Sequence, residues 1–383
     1  MKNKFRITVF EKTEGRIDYL FLLSVLALSV FGTLMVYSAG YAYADFRYND
    51  AYYFVKRQTV WLIAGFIIMV LSSRINTELY KRLSPLFYIA TVFLLLLVLL
   101  IGFVGNGAKR WISIGPLTIQ PSEIAKLTMV MMLSYYFSKK ETIACAAKTK
   151  KQSFIFGTLI PFLIMLLPII LVMLQKHLSC IIILGLIGII VIVLSGVNLG
   201  YLYGFGGLGV LEVSYIAFFT DYTKERITVW RNPEAYKLTG GWQTLQGLMA
   251  IGSGGVFGKG LFRSELKYCY VSEPANDMIF AILCEELGLI GAILTLFLFG
   301  ILIFRGFKIA NGTDNTYERL LTLGIVTKIA IQALLNVAVV TNTIPNTGIS
   351  LPFFSYGGSS LIMLFFEMGI ILSISKKARI KGR

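Results

Sequence analysis

The sequence predicts an all-α polytopic membrane protein of about ten transmembrane helices, with a large extracytoplasmic loop between helices seven and eight. Three observations predict it. Of 383 residues, 56% are hydrophobic and 15% charged, and the mean hydropathy is +0.74, far from the half-apolar, quarter-charged make-up of a soluble domain. Apolar runs of about 20 residues, enough to cross the hydrocarbon core, recur along the chain. Lys and Arg, 36 against 20 Asp and Glu, gather between alternate runs, as positive-inside topology requires.

The first span, near 18–40, follows a basic head (Lys2, Lys4, Arg6, Lys12, Arg16) and lacks a small-residue cleavage site, so it reads as a retained anchor. The others lie near 57–73, 85–104, 122–138, 154–174, 179–195, 201–220, 277–304, 319–341 and 353–375. An even count puts both termini on one side. The basic loop Lys139, Lys140, Lys148, Lys150, Lys151 and the tail Lys376, Lys377, Arg379, Lys381, Arg383 share that side, which is therefore cytoplasmic. Segments 41–56, 105–121, 221–276 and 342–352 face outward, within one domain spanning 1–383. The two halves show no internal similarity of the inverted-repeat kind.

The +16 charge is explained by topology and lipid headgroups, so nucleic acid is not an expected partner. One His and four Cys, at 145, 180, 269 and 284, supply neither a zinc ligand set nor a paired disulfide framework.

Charges at bilayer depth are costly and mark candidate sites. Glu123 and Lys126, in QPSEIAKL, share a helix face and read either as the polar wall of a cavity or as an ion pair locking helices. Lys328 and Glu367 read as a buried interhelical pair. Of Glu285 and Glu286, one is placed in the same cavity as Asp277. His177, the only His, reads as a hydrogen-bonded structural residue at the outer end of the fifth span.

The loop 221–276 carries the densest chemistry. Its glycines from Gly252 to Gly260 fail the P-loop pattern, which needs Gly at Ser253 and Ser or Thr at Gly260, and fail GxGxxG at Phe257. They read instead as a re-entrant or interfacial turn near the cations Lys259, Arg263 and Lys267. Asp277, in PANDMIF, is both a candidate general base and a candidate N-cap of the eighth helix.

GAKRWISIGPLTIQPSEIAKL (107–127), GSGGVFGKG, NDMIFAILCEELGLIGA (276–292) and TGISLPFFSYGGSSL (347–361) resemble, in order, the SEDS family, which includes FtsW, RodA and SpoVE. Around NDMIF and CEELG the wording lies nearer FtsW and SpoVE. The resemblance implies a ten-helix peptidoglycan glycosyltransferase of the bacterial cytoplasmic membrane. Its substrate is lipid II, and its partners are a class B penicillin-binding protein and other divisome or elongasome membrane proteins. It maps the family's essential outer Asp onto Asp277, puts Lys109, Arg110 and Trp111 in an outer turn, and makes Glu123 and Lys126 line a central cavity. Asn336, Pro345, Thr347, Pro352, Ser355, Tyr356, Gly357, Gly358, Ser359 and Ser360 match the C-terminal signature. Where many members carry Gln-Pro-Asp, this chain has Gln175, Lys176, His177, leaving His177 as a partial substitute for that Asp.

The implied chemistry is one inverting displacement, with Asp277 as base and Arg226, Lys259, Arg263 and Lys267 facing the leaving pyrophosphate. Lys109, Arg110, Ser355 and Ser359 complete the expected substrate contacts. Few outer carboxylates remain (Glu273, Asp277, Asp221, Glu225), so Mg²⁺ or Mn²⁺ is expected only as an ion bridged by substrate phosphate. A lipid II flippase and a non-catalytic scaffold for a penicillin-binding protein are the alternatives. A transporter would place its charges at the midplane.

Overall fold

A computed structural model describes residues 15–105, 108–114, 117–144, 149–197 and 221–379. The expected seventh span, 201–220, the basic head before Gly15, Lys148 and the last residues of the tail lie outside the described residues.

Helix α1 (Tyr19–Tyr48) opens on Asp18, whose side chain accepts the Phe21 amide, and closes at Asn49 in the left-handed region. At about 1.5 Å per residue it rises well beyond the hydrocarbon core. The expected outer segment 41–56 thus shrinks to a turn, and α2 (Tyr53–Ser72) begins almost at once. Helix α3 (Thr77–Ile101) starts eight residues before the expected 85 and runs through Pro85. Its polar first turns read as loop in the sequence. Asn76 caps them, and Tyr80 donates to Ser72 O at 2.9 Å.

Segment 105–121 departs from the all-α expectation. It forms an antiparallel meander of β1 (Phe103–Gly105), β2 (Ala108–Ile114) and β3 (Leu117–Ile119), pairing Phe103 with Trp111 and Ile112 with Ile119. The alternating apolar and polar residues of RWISI account for it.

Helix α4 (Pro121–Ala144) follows. Helix α5 (Lys150–Phe154) passes through a π turn into α6 (Ile160–Leu174), and α7 (Leu178–Leu194) falls on the expected sixth span. The expected loop 221–276 is largely built: α8 (Asp221–Arg231), a 3₁₀ turn at Pro233–Tyr236, and α9 (Trp242–Gly254). Helices α10 (Ile279–Asn311), α11 (Thr316–Val340) and α12 (Gly358–Ser375) complete the chain.

Seven helical segments among the described residues have the length and apolar character to cross a membrane, so the chain is a multi-pass membrane protein. They are α1, α2, α3, the stretch Gln152–Leu174, α10, α11 and α12; α7 is apolar but only 17 residues long. The spanning windows of α11 and α12 are 67% buried, against 22% and 28% in α2 and α3. Helix α11 is therefore the axis, packed by α4, α7 and α10, while α2 lies along α12. Lys328 on α11 reaches both Glu367 oxygens on α12 at 2.5 Å, all fully desolvated.

At one end, Asp18 pairs with Arg305 at 2.5 Å and its amide meets Ser375, while Lys376 reaches Ser73 O and the Arg379 amide Gly312 O. The sheet, α8, α9 and segment 341–357 gather at the other end.

Helix α10 breaks at Gly288 (φ 64°, ψ −162°). The Leu289 and Ile290 amides bond to Gly255 O and Val256 O, while the abandoned Glu285 and Glu286 carbonyls accept from the Lys259 and Gly260 amides, all at 2.9–3.2 Å. The glycine turn is thus spliced into the helix, and these groups released by the break are bonded again rather than left open at depth. A Cβ on Gly288 would come within 2.4 Å of the Gly258 amide.

Glu367→Leu strands the Lys328 ammonium and is expected to lower stability by about 3–5 kcal/mol, whereas adding Lys328→Met restores most of it. Thermal unfolding of the two proteins in detergent checks this.

Candidate functional site

Asp277 ends the irregular segment before α10. Met278 occupies the N-cap, so the expected capping role is not taken up. Three successive carbonyls fix the backbone here. The Tyr356 amide donates to Ala275 O at 2.8 Å, Ser355 Oγ to Asn276 O at 2.7 Å, and the fully buried Asn336 Nδ2 to Asp277 O at 2.9 Å. Asn336 also donates to Ile349 O at 2.7 Å.

The Asp277 side chain is held on one oxygen. Gln243 Nε2 on α9 donates to Oδ2 at 3.4 Å, while Oδ1 is buried without a partner. Gln243 Oε1 in turn accepts from Asn346 Nδ2 at 3.0 Å, and Arg226 on α8 donates to Asn346 O. Gly348 lies beside Oδ2, where a Cβ would make only an ordinary contact at 3.6 Å; its φ of +69° is what requires glycine. Burial, and then the neighbouring charge of Glu273, push the Asp277 carboxyl up to about 6, against the pull of Gln243 and Arg226. Gln243 and Asn346 were not singled out in the sequence; the signal was a pair of amides in outer segments flanked by glycines, GGWQ and PNTG.

A small cavity of about 20 Å³ lies behind this segment, lined by Glu123, Lys328, Gln332, Ser350, Ser355 and Ser360 among others. Glu123 pairs with Lys126 at 2.7 Å. Glu123 thus serves as both cavity wall and ion-pair partner, and Lys328 faces the cavity as well as Glu367. Ser355 reaches the cavity, but in Ser359's place its neighbour Ser360 does.

The expected cluster of cations around Asp277 does not form. Lys267 is 2% exposed and bonds to Glu286 at 3.0 Å, with Ser38 of α1 donating to the same carboxylate at 2.6 Å. Lys259 pairs with Glu285 at 2.9 Å and Glu265 at 3.2 Å, and Ser264 donates to Glu285 at 2.5 Å. The physical reason is the splice at Gly288, which carries the turn two to three helical turns along α10 from Asp277, so these lysines neutralise buried glutamates. Neither Glu285 nor Glu286 therefore shares the Asp277 surroundings as expected. Arg263 is exposed on the same turn, beside Gly260. Of the four cations, Arg226 alone enters the Asp277 network.

On the sheet, Lys109 is exposed, and Arg110 Nη2 donates to Lys176 O at 2.5 Å, tying β2 to the α6–α7 turn. Burial and the Arg110 charge push His177 down to about 3. It is neutral at pH 7, so it does not replace a carboxylate's charge. Its Nδ1 lies 3.4 Å from Ser122 Oγ.

A polytopic helical membrane protein with a partly desolvated carboxylate just ahead of α10 is the class defined so far. The model of the cell cycle protein family of FtsW, RodA and SpoVE matches residues 18–380, and the chain belongs to this family. It is 37% identical to stage V sporulation protein E of Bacillus subtilis over 364 residues, covering 94% of this chain and 98% of that protein. It is 35% identical to a probable peptidoglycan glycosyltransferase FtsW of Geobacter sulfurreducens, with 96% of each covered. Among solved structures, a chain of a peptidoglycan synthase complex that coordinates polymerization and crosslinking aligns with TM-score 0.78 at 26% identity, over 94% of this chain and 98% of that one. The rod shape determining protein RodA of Thermus thermophilus aligns with TM-score 0.69 at 25% identity, over 94% and 97%.

Lys267→Met should strand Glu286 and lower the unfolding midpoint by the equivalent of about 3–5 kcal/mol. Lys109→Ala should stay within about 0.5 kcal/mol of wild type. Calorimetry on detergent-purified protein measures both.

Proposed function

We infer that Asp277 is the general base of a peptidoglycan glycosyltransferase that polymerises lipid II outside the cytoplasmic membrane. The glycosyltransferase activity, in division or shape, follows from the family and its named members. The observation that supports the base is the pairing of an oxygen without a partner, Oδ1, with a carboxyl held near 6.

In the proposed reaction the acceptor sugar 4-hydroxyl loses its proton to Asp277 as its oxygen attacks the donor anomeric carbon. The bond from that carbon to the pyrophosphate oxygen breaks, and its electron pair leaves with the lipid pyrophosphate. A single displacement turns an α-linked donor into a β-linked product. Gln243 fixes Oδ2, so the free oxygen points one way. The three tethered carbonyls keep the carboxylate from drifting, which matters because small misplacements are costly in rate.

Among the described residues no three His, Cys, Asp or Glu side chains gather at one point. A divalent Mg²⁺ or Mn²⁺ would therefore meet Asp277 and Glu273 at most and draw its remaining oxygens from substrate phosphate and water. It would supply charge neutralisation on the leaving pyrophosphate.

The basic inner loops and tail support cytoplasmic termini. The likeness to a synthase-complex chain supports a class B penicillin-binding protein as partner.

Asp277→Asn and Asp277→Ala proteins that fold normally are expected to make no glycan from purified lipid II; near-normal chains from either would refute the base. The wild-type rate is expected to rise with pH through about 6, because the base works only when ionised, and at pH 5 only about a tenth of it is. Glu273→Gln removes a like charge and should shift this limb to lower pH. Gln243→Leu removes a donor to the carboxylate and should shift it upward. Gel-resolved product rates from pH 4.5 to 8 read both directions.

A further inference from the structure

Helix α12 starts without a side-chain cap at Gly357, and its first backbone bond comes from the Leu361 amide to Gly357 O at 3.1 Å. The amides of Gly358, Ser359 and Ser360 therefore leave the first turn with the positive end of the helix dipole and no helical carbonyl to meet. A helix start alone is not a site.

A second, independent observation converges on it. Gln58 of α2 is fully buried, and its Oε1 accepts from the Gly357 amide at 3.5 Å, which sets the carboxamide against the start of α12. The Nε2 of the same group has no partner. A buried donor left unbonded is costly, and it belongs to the same carboxamide that meets the Gly357 amide. Arg57, exposed on the preceding position, lies over the Tyr53 ring at 4.2 Å, and its charge acts on Tyr356. The Trp61 indole covers Gly358, where a Cβ would come within 2.5 Å of the ring. The cavity bearing Glu123 and Lys328 reaches the same helix start at Ser360.

The place in the fold supplies the ligand. Ser355 and Tyr356, immediately before the helix, hold the carbonyls of Asn276 and Ala275 beside Asp277. Lys259 and Lys267, the cations that the sequence offered for pyrophosphate, are occupied by Glu285 and Glu286.

We propose that the α12 N-terminus, Gln58 Nε2 and Arg57 form a phosphate subsite that holds the pyrophosphate of a polyprenyl-linked sugar next to Asp277. The proposal rests on the glycosyltransferase reading for its ligand. Phospholipid headgroups share the phosphate chemistry; adjacency to the carboxylate favours the polyprenyl pyrophosphate. Backbone amides and an amide donor suit a ligand that must arrive, react and leave, because they bind without a fixed counter-charge to displace.

The test uses the full chain in nanodiscs of zwitterionic lipid, titrated separately with undecaprenyl pyrophosphate and with phosphatidylglycerol. Wild type is expected to bind the pyrophosphate more tightly. Gln58→Leu and Arg57→Ala should each weaken it about tenfold or more, with phosphatidylglycerol unaffected. Gln58→Leu removes the orphan Nε2 together with the Oε1 that receives the Gly357 amide, so its unfolding midpoint should change little while affinity falls, which a merely structural role would not produce. Asp277→Asn should bind undecaprenyl pyrophosphate as wild type does. Unchanged affinity in both variants, or a parallel loss for phosphatidylglycerol, overturns the subsite. Pyrophosphate binding that depends on Gln58 and Arg57 in a protein unable to polymerise lipid II leaves the subsite standing and removes the glycosyltransferase reading.

Discussion

Everything at the Asp277 end depends on the exchange of hydrogen bonds at Gly288. Two bonds that a continuous α10 would make within itself are given up, and four are made with the turn at 255–260. Inside a bilayer this is one of few ways to interrupt a helix without leaving amides and carbonyls unsatisfied. The exchange fixes how deep the turn sits, hence the level of α9, hence the position from which Gln243 reaches Asp277. The paired glutamates reinforce it. Glu285 and Glu286 gather Lys259, Lys267, Ser264 and Ser38, so the turn, the irregular segment returning from it and α1 are bound at one buried point.

The charges divide by depth and by task. Those below the surface are matched within the protein: Glu123 with Lys126, Lys328 with Glu367, Glu286 with Lys267. Such pairs are weak sources of stability but strong sources of definition, since separating them leaves a bare charge. Asp277 differs, because among the described residues no ammonium or guanidinium bonds to its side chain and its donor is the Gln243 amide. A carboxylate clamped by Lys would be a poor base; one beside a carboxamide keeps its basicity near the working pH.

The spans were readable because hydrophobicity is additive along the chain and membranes impose a length. Chain ends of helices were less so. The polar turns of Thr77–Ser84 look like loop until Asn76 and Ser72 are seen to cap and receive them. The sheet at 103–119 was hidden by its length, since three- and seven-residue strands leave only a brief alternation. Asp277 stood out because outer carboxylates are few. Lys259 and Lys267 misled because nearness in sequence carried the expectation, while the partners that consume them lie about 20 residues on, inside a span. Gln58 carried little signal, because it follows Lys56 and Arg57 near the start of its helix, where polar residues are ordinary.

The three carbonyls at 275–277 are tied by residues 59 to 81 positions further along the chain. During synthesis, the segment bearing Asp277 leaves the ribosome well before Asn336, Ser355 and Tyr356 do. Until the last span has been inserted, the carboxylate has no fixed address. Its geometry is thus conferred by the end of translation, and a partly made chain carries the residue without the arrangement that gives it meaning.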